Sequence, residues 1–409
     1  AIGSRLIKMG LEYEEDYRNS NIVILNSCTV TDTADKKVMK YVKSIRRLKE
    51  ERNIFFIFTG CLAQTDGDKI SGIEGIDLVI DNKLKHKVPE VIKSFLENRF
   101  LDIKSIKPSR KGRFEFEPDS FLGRTRAFLK IQDGCNRMCS FCKVPFARGG
   151  SISLEYDEVI RRFKKLLELG YKEIVITGVN ITSYYWNGYT LKDVIRGMVS
   201  LDGEFRVRLS SIMPDEFDVS ILEFVKDGKL SPHLHISLQS GSDYIIKLMR
   251  RNYTSKDVVE IADVARKYYD GFGFSGDVIV GFPEESEKHF NETIDTVKKI
   301  GFFRLHIFPF SPRRGTVASV MDNQVPYEIK KERERILFDV VKGLSVEFKK
   351  KFLGKDIRII PEEYVDGGVY GYADNYLRVF SRDISLKRNE FSYVKVSEIN
   401  EEDPTTVIA

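Results

Sequence analysis

The stretch Ala127-Phe128-Leu129-Lys130-Ile131-Gln132-Asp133-Gly134-Cys135-Asn136-Arg137-Met138-Cys139-Ser140-Phe141-Cys142 decides how this chain is read. Its first part is a short apolar run of strand character, and a glycine and three cysteines follow at once. Three thiolates, spaced first by three intervening residues and then by two, can wrap one compact metal centre. The soft sulfur set suits zinc or an iron–sulfur cluster. A structural zinc site wants a fourth ligand, and none of the histidines (His86, His233, His235, His289, His306) is close in sequence. A cubane held by three cysteines leaves one iron open, and an open iron is a place for a substrate or cofactor. Cys135, Cys139 and Cys142 are therefore the candidate catalytic and metal-ligating residues.

Outward from this loop, strand and helix alternate. Strands are expected at residues 127–132, 173–177, 206–210, 234–238, 274–280 and 305–310, with helices at 157–169, 255–268 and 287–300. Six parallel strands with right-handed crossovers curl into an open barrel, a partial (β/α)6 arrangement, whose sites lie at the carboxyl ends of the strands. The cysteine loop follows the first strand and so belongs at that end. Thr177-Gly178-Val179-Asn180 closes the second strand, Ser237-Leu238-Gln239-Ser240-Gly241-Ser242 the fourth, and Asp277-Val278-Ile279-Val280-Gly281-Phe282-Pro283-Glu284 the fifth. A glycine at a strand end is also the ordinary mark of a turn. Arg148 faces either a ligand or an ion-pair partner.

Before the barrel, strands are expected at residues 22–26, 54–58 and 77–80, with a Lys/Arg-rich helix over 35–52 whose apolar positions are Val38, Val42, Ile45 and Leu48. Apolar strands alternating with helices imply a doubly wound α/β domain. Cys28 and Cys61 fall just past the first two of these strands, at the carboxyl edge where such sheets hold ligands. Their plain alternative is two buried thiols. Residues 101–120 are polar, weakly periodic and read as a linker. After a helix at 326–352, short strands at 357–360, 368–373, 377–380 and 391–396 predict a small antiparallel barrel, a fold that often binds RNA. A packing or capping module is the other reading.

Composition sets outer limits. A chain of 409 residues implies two or three domains. Its 66 basic and 61 acidic residues leave a net charge of +5, which permits basic patches without demanding nucleic acid. Five cysteines in such a length do not make a disulfide framework and point to a reducing, cytoplasmic setting. No apolar run is long enough for a membrane span. The start, Ala1-Ile2-Gly3-Ser4-Arg5, lacks both the apolar stretch of a secretory signal and an initiator methionine, so trimming is expected.

The Cys135-x3-Cys139-x2-Cys142 spacing, with aromatic Phe141 before the last cysteine, is similar to the signature of the radical S-adenosylmethionine (SAM) superfamily. That resemblance implies a [4Fe–4S] cluster whose open iron chelates SAM and whose electron cleaves it to a 5′-deoxyadenosyl radical. It also implies that Phe141, Gly178, Asn180, Ser211, Gln239, Asp277, Ile279 and Arg148 are the cofactor-binding candidates, Gly178 and Asn180 near the SAM amino group and Asp277 and Ile279 near the adenine.

The wider resemblance is to methylthiotransferases. It is carried by Asn26-Ser27-Cys28-Thr29-Val30-Thr31, Thr59-Gly60-Cys61, Phe128 through Cys135, and Phe308-Pro309-Phe310-Ser311-Pro312-Arg313. It implies an amino-terminal domain (1–118), a radical SAM domain (119–352) and an RNA-binding barrel of TRAM type (353–409). It further implies a second [4Fe–4S] cluster on Cys28 and Cys61, with a third ligand upstream of both, before the first residue of this chain. Cys28-Thr29-Val30-Thr31, Arg206-Val207-Arg208-Leu209-Ser210-Ser211 and Gln324-Val325-Pro326 resemble the branch acting on N6-threonylcarbamoyladenosine at tRNA position 37. The implied partners are a tRNA anticodon stem-loop, bound through helix 36–52 and the terminal barrel, and an electron donor such as flavodoxin or ferredoxin. The same chemistry on isopentenyladenosine or on a ribosomal-protein aspartate is one alternative. A non-catalytic, zinc-bound RNA-binding protein is another.

Overall fold

In a computed structural model the chain is described for residues 2–27, 32–99, 111–115, 124–400 and 406–409. Cys28 and most of the expected linker lie outside the described residues. The chain divides into two compact units. One comprises Ala1–Leu122, Asp133–Ile152 and Ser311–Ser319; the other comprises Gly123–Gln132, Ser153–Phe310 and Val320–Ala409.

The first unit is built on a parallel sheet of Ile22–Ser27, Phe55–Gly60 and Leu78–Ile80, in that order. Both faces are covered, as the unbroken apolar strands require. Helix Asp32–Glu51 sets Val38, Val42 and Ile45 against Phe56 and Phe58 on one face. Helix Val88–Leu96 sets Val88, Val91 and Ile92 against Ile57 and Ile80 on the other. The long helix turns Lys36, Lys37, Lys40, Lys43, Arg46 and Arg47 outward. Gly60 has φ +103°, and a Cβ there would lie 2.2 Å from the Ser27 carbonyl oxygen, so only glycine lets the second strand turn straight into helix Cys61–Thr65.

The second unit contains the open barrel. Arg126–Lys130, Glu173–Thr177, Arg206–Leu209, His233–Gln239, Gly273–Val280 and Arg304–Pro309 are all parallel and neighbour one another in chain order. The third strand is interrupted at Ser210, whose N–H bonds back to the Ile176 carbonyl oxygen at 3.0 Å. The next piece, Ser211–Ile212, pairs forward with the fourth strand. The helices start as their sequences dictate, with capping boxes at Thr190/Asp193, Thr254/Asp257 and Ser286/His289.

Asp356–Val365, Gly368–Ala373, Arg378–Ser381 and Ser392–Lys395 form the expected antiparallel sheet, closed over Ile359, Val379, Val394, Val396 and Val407. Phe348 and Phe352, at the end of helix Tyr327–Lys350, fill its base. Here the structure departs from a purely antiparallel barrel. A further strand, Thr406–Ile408, pairs parallel with Arg378–Ser381. Its three residues are too few for periodicity to reveal.

On the concave side of the barrel, side chains from successive strands converge on one buried charge. Glu173 has no exposed surface. Its carboxylate accepts from Arg206 Nε at 2.6 Å and Arg208 Nε at 2.7 Å. Arg206 continues to the Asp374 carboxylate (2.6 Å) and the Tyr372 carbonyl oxygen (3.1 Å), and Arg208 to the carbonyl oxygens of Ala373 and Asp374. Arg126 pairs with Glu362. The turn Asp374-Asn375-Tyr376 of the terminal sheet thus closes the amino-terminal end of the barrel. Gly273 belongs to the same joint, because a Cβ there would lie 2.2 Å from the Asn375 carbonyl oxygen.

Burial pushes the Glu173 carboxyl up, but Arg206 and Arg208 outweigh it and hold it at about 2. Its contribution to stability is therefore complete above the ordinary value of 4.5 and disappears as pH falls towards 2. Glu173→Gln strands two buried guanidinium groups and is expected to cost about 3–5 kcal/mol in urea unfolding at pH 7. The difference between variant and parent should shrink as the pH is lowered below 4.5.

Candidate active site

In the first unit the cysteine loop leaves a strand and folds back on itself. Cys135 N–H bonds to the Gly149 carbonyl oxygen at 3.0 Å and Cys142 N–H to the Cys139 carbonyl oxygen at 3.1 Å. Gly134 makes the return possible. Its φ is +74°, and a Cβ would sit 2.1 Å from the Gly150 carbonyl oxygen. Cys139 is buried, Cys135 and Cys142 are half-buried, and none of the three is in a disulfide. Arg137 N–H points at Cys135 Sγ and Val144 N–H at Cys142 Sγ, each at 3.4 Å. Backbone donors aimed at sulfur favour the thiolate, and three soft donors on one short loop fit an iron–sulfur cluster. The three sulfur atoms do not gather as tightly as the ligands of one small ion. Among the described residues the group whose ligand atoms all lie within 4.8 Å is His235, Asp277 and His306. Ala318 N–H braces the loop through the Ser140 carbonyl oxygen at 2.7 Å. Phe141 is half-buried.

The helix that follows the loop, Val144–Arg148, packs on helix Cys61–Thr65. Arg148, read from sequence as either a ligand contact or an ion pair, makes the ion pair, with Asp133 at 3.0 Å. Burial alone would lower its pKa, but Asp133 and the Cys61 sulfur raise it, so the guanidinium faces both. Cys61 also has Asn82 Nδ2 at 4.0 Å. One compact unit thus holds the three-cysteine loop and Cys61, joined through Arg148. The sequence gives no sign of that link, since Arg148 and Cys61 are far apart along the chain.

In the second unit Gln132 Oε1 accepts from the N–H groups of Val179 (3.0 Å) and Asn180 (2.8 Å). Gly178 lies directly against it: a Cβ would be 2.9 Å from the Gln132 carbonyl oxygen. The Asn180 amide donates to Glu216 at 2.6 Å. Ser211 is half-buried. Gln239 is buried at φ +63°, just before Gly241 N–H reaches Thr293 Oγ1 at 3.1 Å. Ile279 is half-buried. Gly178 and Asn180 come together around Gln132, which sequence reasoning passed over. Asp277 is engaged elsewhere, its two oxygens 3.1 Å from His235 Nε2 and from His306 Nδ1. Burial would raise its carboxyl, and the two histidines hold it at about 2. The signal for this group was available: His233-x-His235, Ser275-x-Asp277 and Arg304-x-His306 alternate on adjacent parallel strands.

A three-cysteine loop following the first strand of an open parallel six-stranded barrel defines a radical SAM enzyme. Residues 129–297 match the Radical SAM superfamily, and residues 1–81 match the uncharacterized protein family UPF0004. The threonylcarbamoyladenosine tRNA methylthiotransferase MtaB of Thermotoga maritima is 38% identical, over 94% of this chain and 88% of its own length. The tRNA-2-methylthio-N(6)-dimethylallyladenosine synthase of Fusobacterium nucleatum is 32% identical, over 95% of this chain and 91% of its own. A radical SAM methyltransferase, TsrM from Kitasatospora setae, solved with cobalamin and a [4Fe–4S] cluster, shares the fold at 13% identity. Its TM-score is 0.58, over 78% of this chain and 70% of that one. The chain belongs to the radical SAM methylthiotransferases, in the threonylcarbamoyladenosine branch.

Anaerobically purified Cys139→Ala should hold about four irons fewer per chain than the parent, one cubane's worth. Iron and sulfide analysis checks this. A parent carrying stoichiometric zinc and no iron would defeat the assignment of the loop.

Proposed function

We propose that this enzyme adds a methylthio group to C2 of N6-threonylcarbamoyladenosine at tRNA position 37, using SAM as both radical source and methyl donor. The observation that carries the reading is the 38% identity to the Thermotoga methylthiotransferase over 94% of the chain. The geometry agrees with it: one compact unit contains both the three-cysteine loop and Cys61.

Cys135, Cys139 and Cys142 would hold one [4Fe–4S] cluster. Cys61, with Cys28 and a third ligand upstream of both, would hold a second at the edge of the amino-terminal sheet. When bound, the first cluster supplies a low-potential electron to SAM, and the second is where sulfur is offered. The protein's share is placement. Arg137 and Val144 N–H groups steady two sulfurs, and Arg148 sets the charge beside Cys61. In the second unit Gly178, Asn180, Ser211, Gln239 and Ile279 would contribute to the SAM site, with the amino group near Gly178 and Asn180. Three modules divide the work: residues 1–118 offer sulfur, 119–352 make the radical and 353–409 hold RNA.

The partner is the tRNA anticodon stem-loop. Two features support contact with RNA: the exposed Lys/Arg face of helix Asp32–Glu51, and Tyr364 and Tyr393 on the terminal sheet, the latter 72% exposed. A flavodoxin or ferredoxin supplies electrons in the cytoplasm. No described helix is long and apolar enough to cross a membrane.

The test is anaerobic turnover of the full-length protein, with both clusters loaded, on tRNA carrying threonylcarbamoyladenosine or dimethylallyladenosine. Nucleoside mass spectrometry should find the methylthio product on the first tRNA only. 5′-deoxyadenosine and S-adenosylhomocysteine should appear in equal amounts, one from each SAM consumed. Product on the second tRNA alone would assign the chain to the other branch.

A further inference from the structure

The concave side of the barrel carries a continuous polar row that the proposed chemistry leaves unused. His233 Nε2 meets Ser275 Oγ at 2.8 Å, and Ser275 Oγ meets His235 Nδ1 at 2.9 Å. His235 Nε2 reaches one oxygen of Asp277, and His306 Nδ1 reaches the other. Residues between these, such as Leu234, Ile236, Val278 and Val280, are fully buried, so the row occupies the opposite face of the strands from the apolar packing. Its lower end touches the charged floor, where the His233 ring lies 4.7 Å from Tyr376. Its upper end is His306, whose side chain is 49% exposed.

Asp277 accepts only, so the His306 nitrogen facing it, Nδ1, carries the proton. The other ring nitrogen, Nε2, then lies on the far side of the ring from Asp277, on a side chain that is 49% exposed. A carboxylate behind an imidazole stabilises the imidazolium that a second, incoming anion would induce. His235 Nε2 and His306 Nδ1 both face Asp277, so the row forms a hydrogen-bonded support behind the outer nitrogen of His306. Resting on the function proposed above, we infer that His306 is a specificity residue that binds the carboxylate-bearing N6 substituent of the target adenosine. Asp277 and His235 act as its positioning residues. The threonylcarbamoyl group offers a carboxylate, a hydroxyl and urea N–H groups to such a nitrogen. A dimethylallyl group offers none and would cover the imidazole without a partner.

The test compares binding of three anticodon stem-loop RNAs to the cluster-loaded chain by fluorescence anisotropy. The RNAs carry threonylcarbamoyladenosine, dimethylallyladenosine or plain adenosine at position 37. The parent should prefer the first over the third by ~10-fold to ~100-fold, the range of one charge-assisted hydrogen bond. His306→Leu should bring that ratio close to one, and Asp277→Asn should lower it part of the way. His306→Gln, which keeps an N–H donor, should restore some preference. Iron content and melting temperature are read on every variant, and His306→Gln replaces His306→Leu if the latter fails to load iron. An unchanged ratio in the iron-loaded His306 variants overturns this inference and leaves the function standing. A parent that binds and modifies only the dimethylallyl RNA overturns both.

Discussion

Glu173 is a negative charge with no access to water, and the second unit is arranged around keeping it paired. Taking a carboxylate into a protein interior is unfavourable by several kcal/mol unless opposite charge and hydrogen bonds surround it. Arg206 and Arg208 supply both, but each guanidinium has more donors than one carboxylate can use. The surplus donors reach the Asp374 side chain and the carbonyl oxygens of Tyr372, Ala373 and Asp374. The terminal sheet is therefore fastened to the barrel by the unmet hydrogen-bonding capacity of two arginines. Arg126–Glu362 and Arg358, which donates to the Gly228 carbonyl oxygen at 2.8 Å, add to the same joint.

This floor has consequences for the rest of the lumen. A barrel closed at its amino-terminal end can admit ligands only from the carboxyl end, where the strand-end glycines are. Above the floor the lining stays polar, through His233, Ser275, His235 and Asp277, up to His306. An interior of this kind suits a substrate that brings its own polar groups, because burying unpaired donors and acceptors is costly.

The first unit works on a different principle. Its sheet is a plain doubly wound core, and its chemistry lies in two turns that only glycine can make. Gly60 and Gly134 each let backbone pass within contact distance of a carbonyl oxygen. Each is followed directly by a cysteine. Tight turns of this sort fix the thiol by the backbone itself, with no need for a long supporting side chain. Arg148 then ties the two turns together through Asp133 and Cys61.

Much of the architecture was legible in the sequence. Strand Glu173–Thr177 and helices Ser255–Tyr268 and Glu287–Ile300 fall where periodicity puts them. The cysteine spacing pointed to a metal centre, and the family resemblance it carries implied the iron–sulfur cluster. Hydrophobic period, capping residues and ligand spacing are local properties, written within a dozen residues of one another. What only the tertiary structure decided is nonlocal. Arg206 and Arg208 read as part of a family phrase, and folding made them the partners of a glutamate more than thirty residues away. Asp277 read as one residue of a strand end near the adenine, and folding set it between two histidines from neighbouring strands. Thr406–Ile408 was invisible because so short a strand exists only through its partners, Arg378–Ser381 on one side and Glu398–Ile399 on the other. A buried charge or a cross-strand pair is defined by what surrounds it in space, and no window of sequence contains those surroundings.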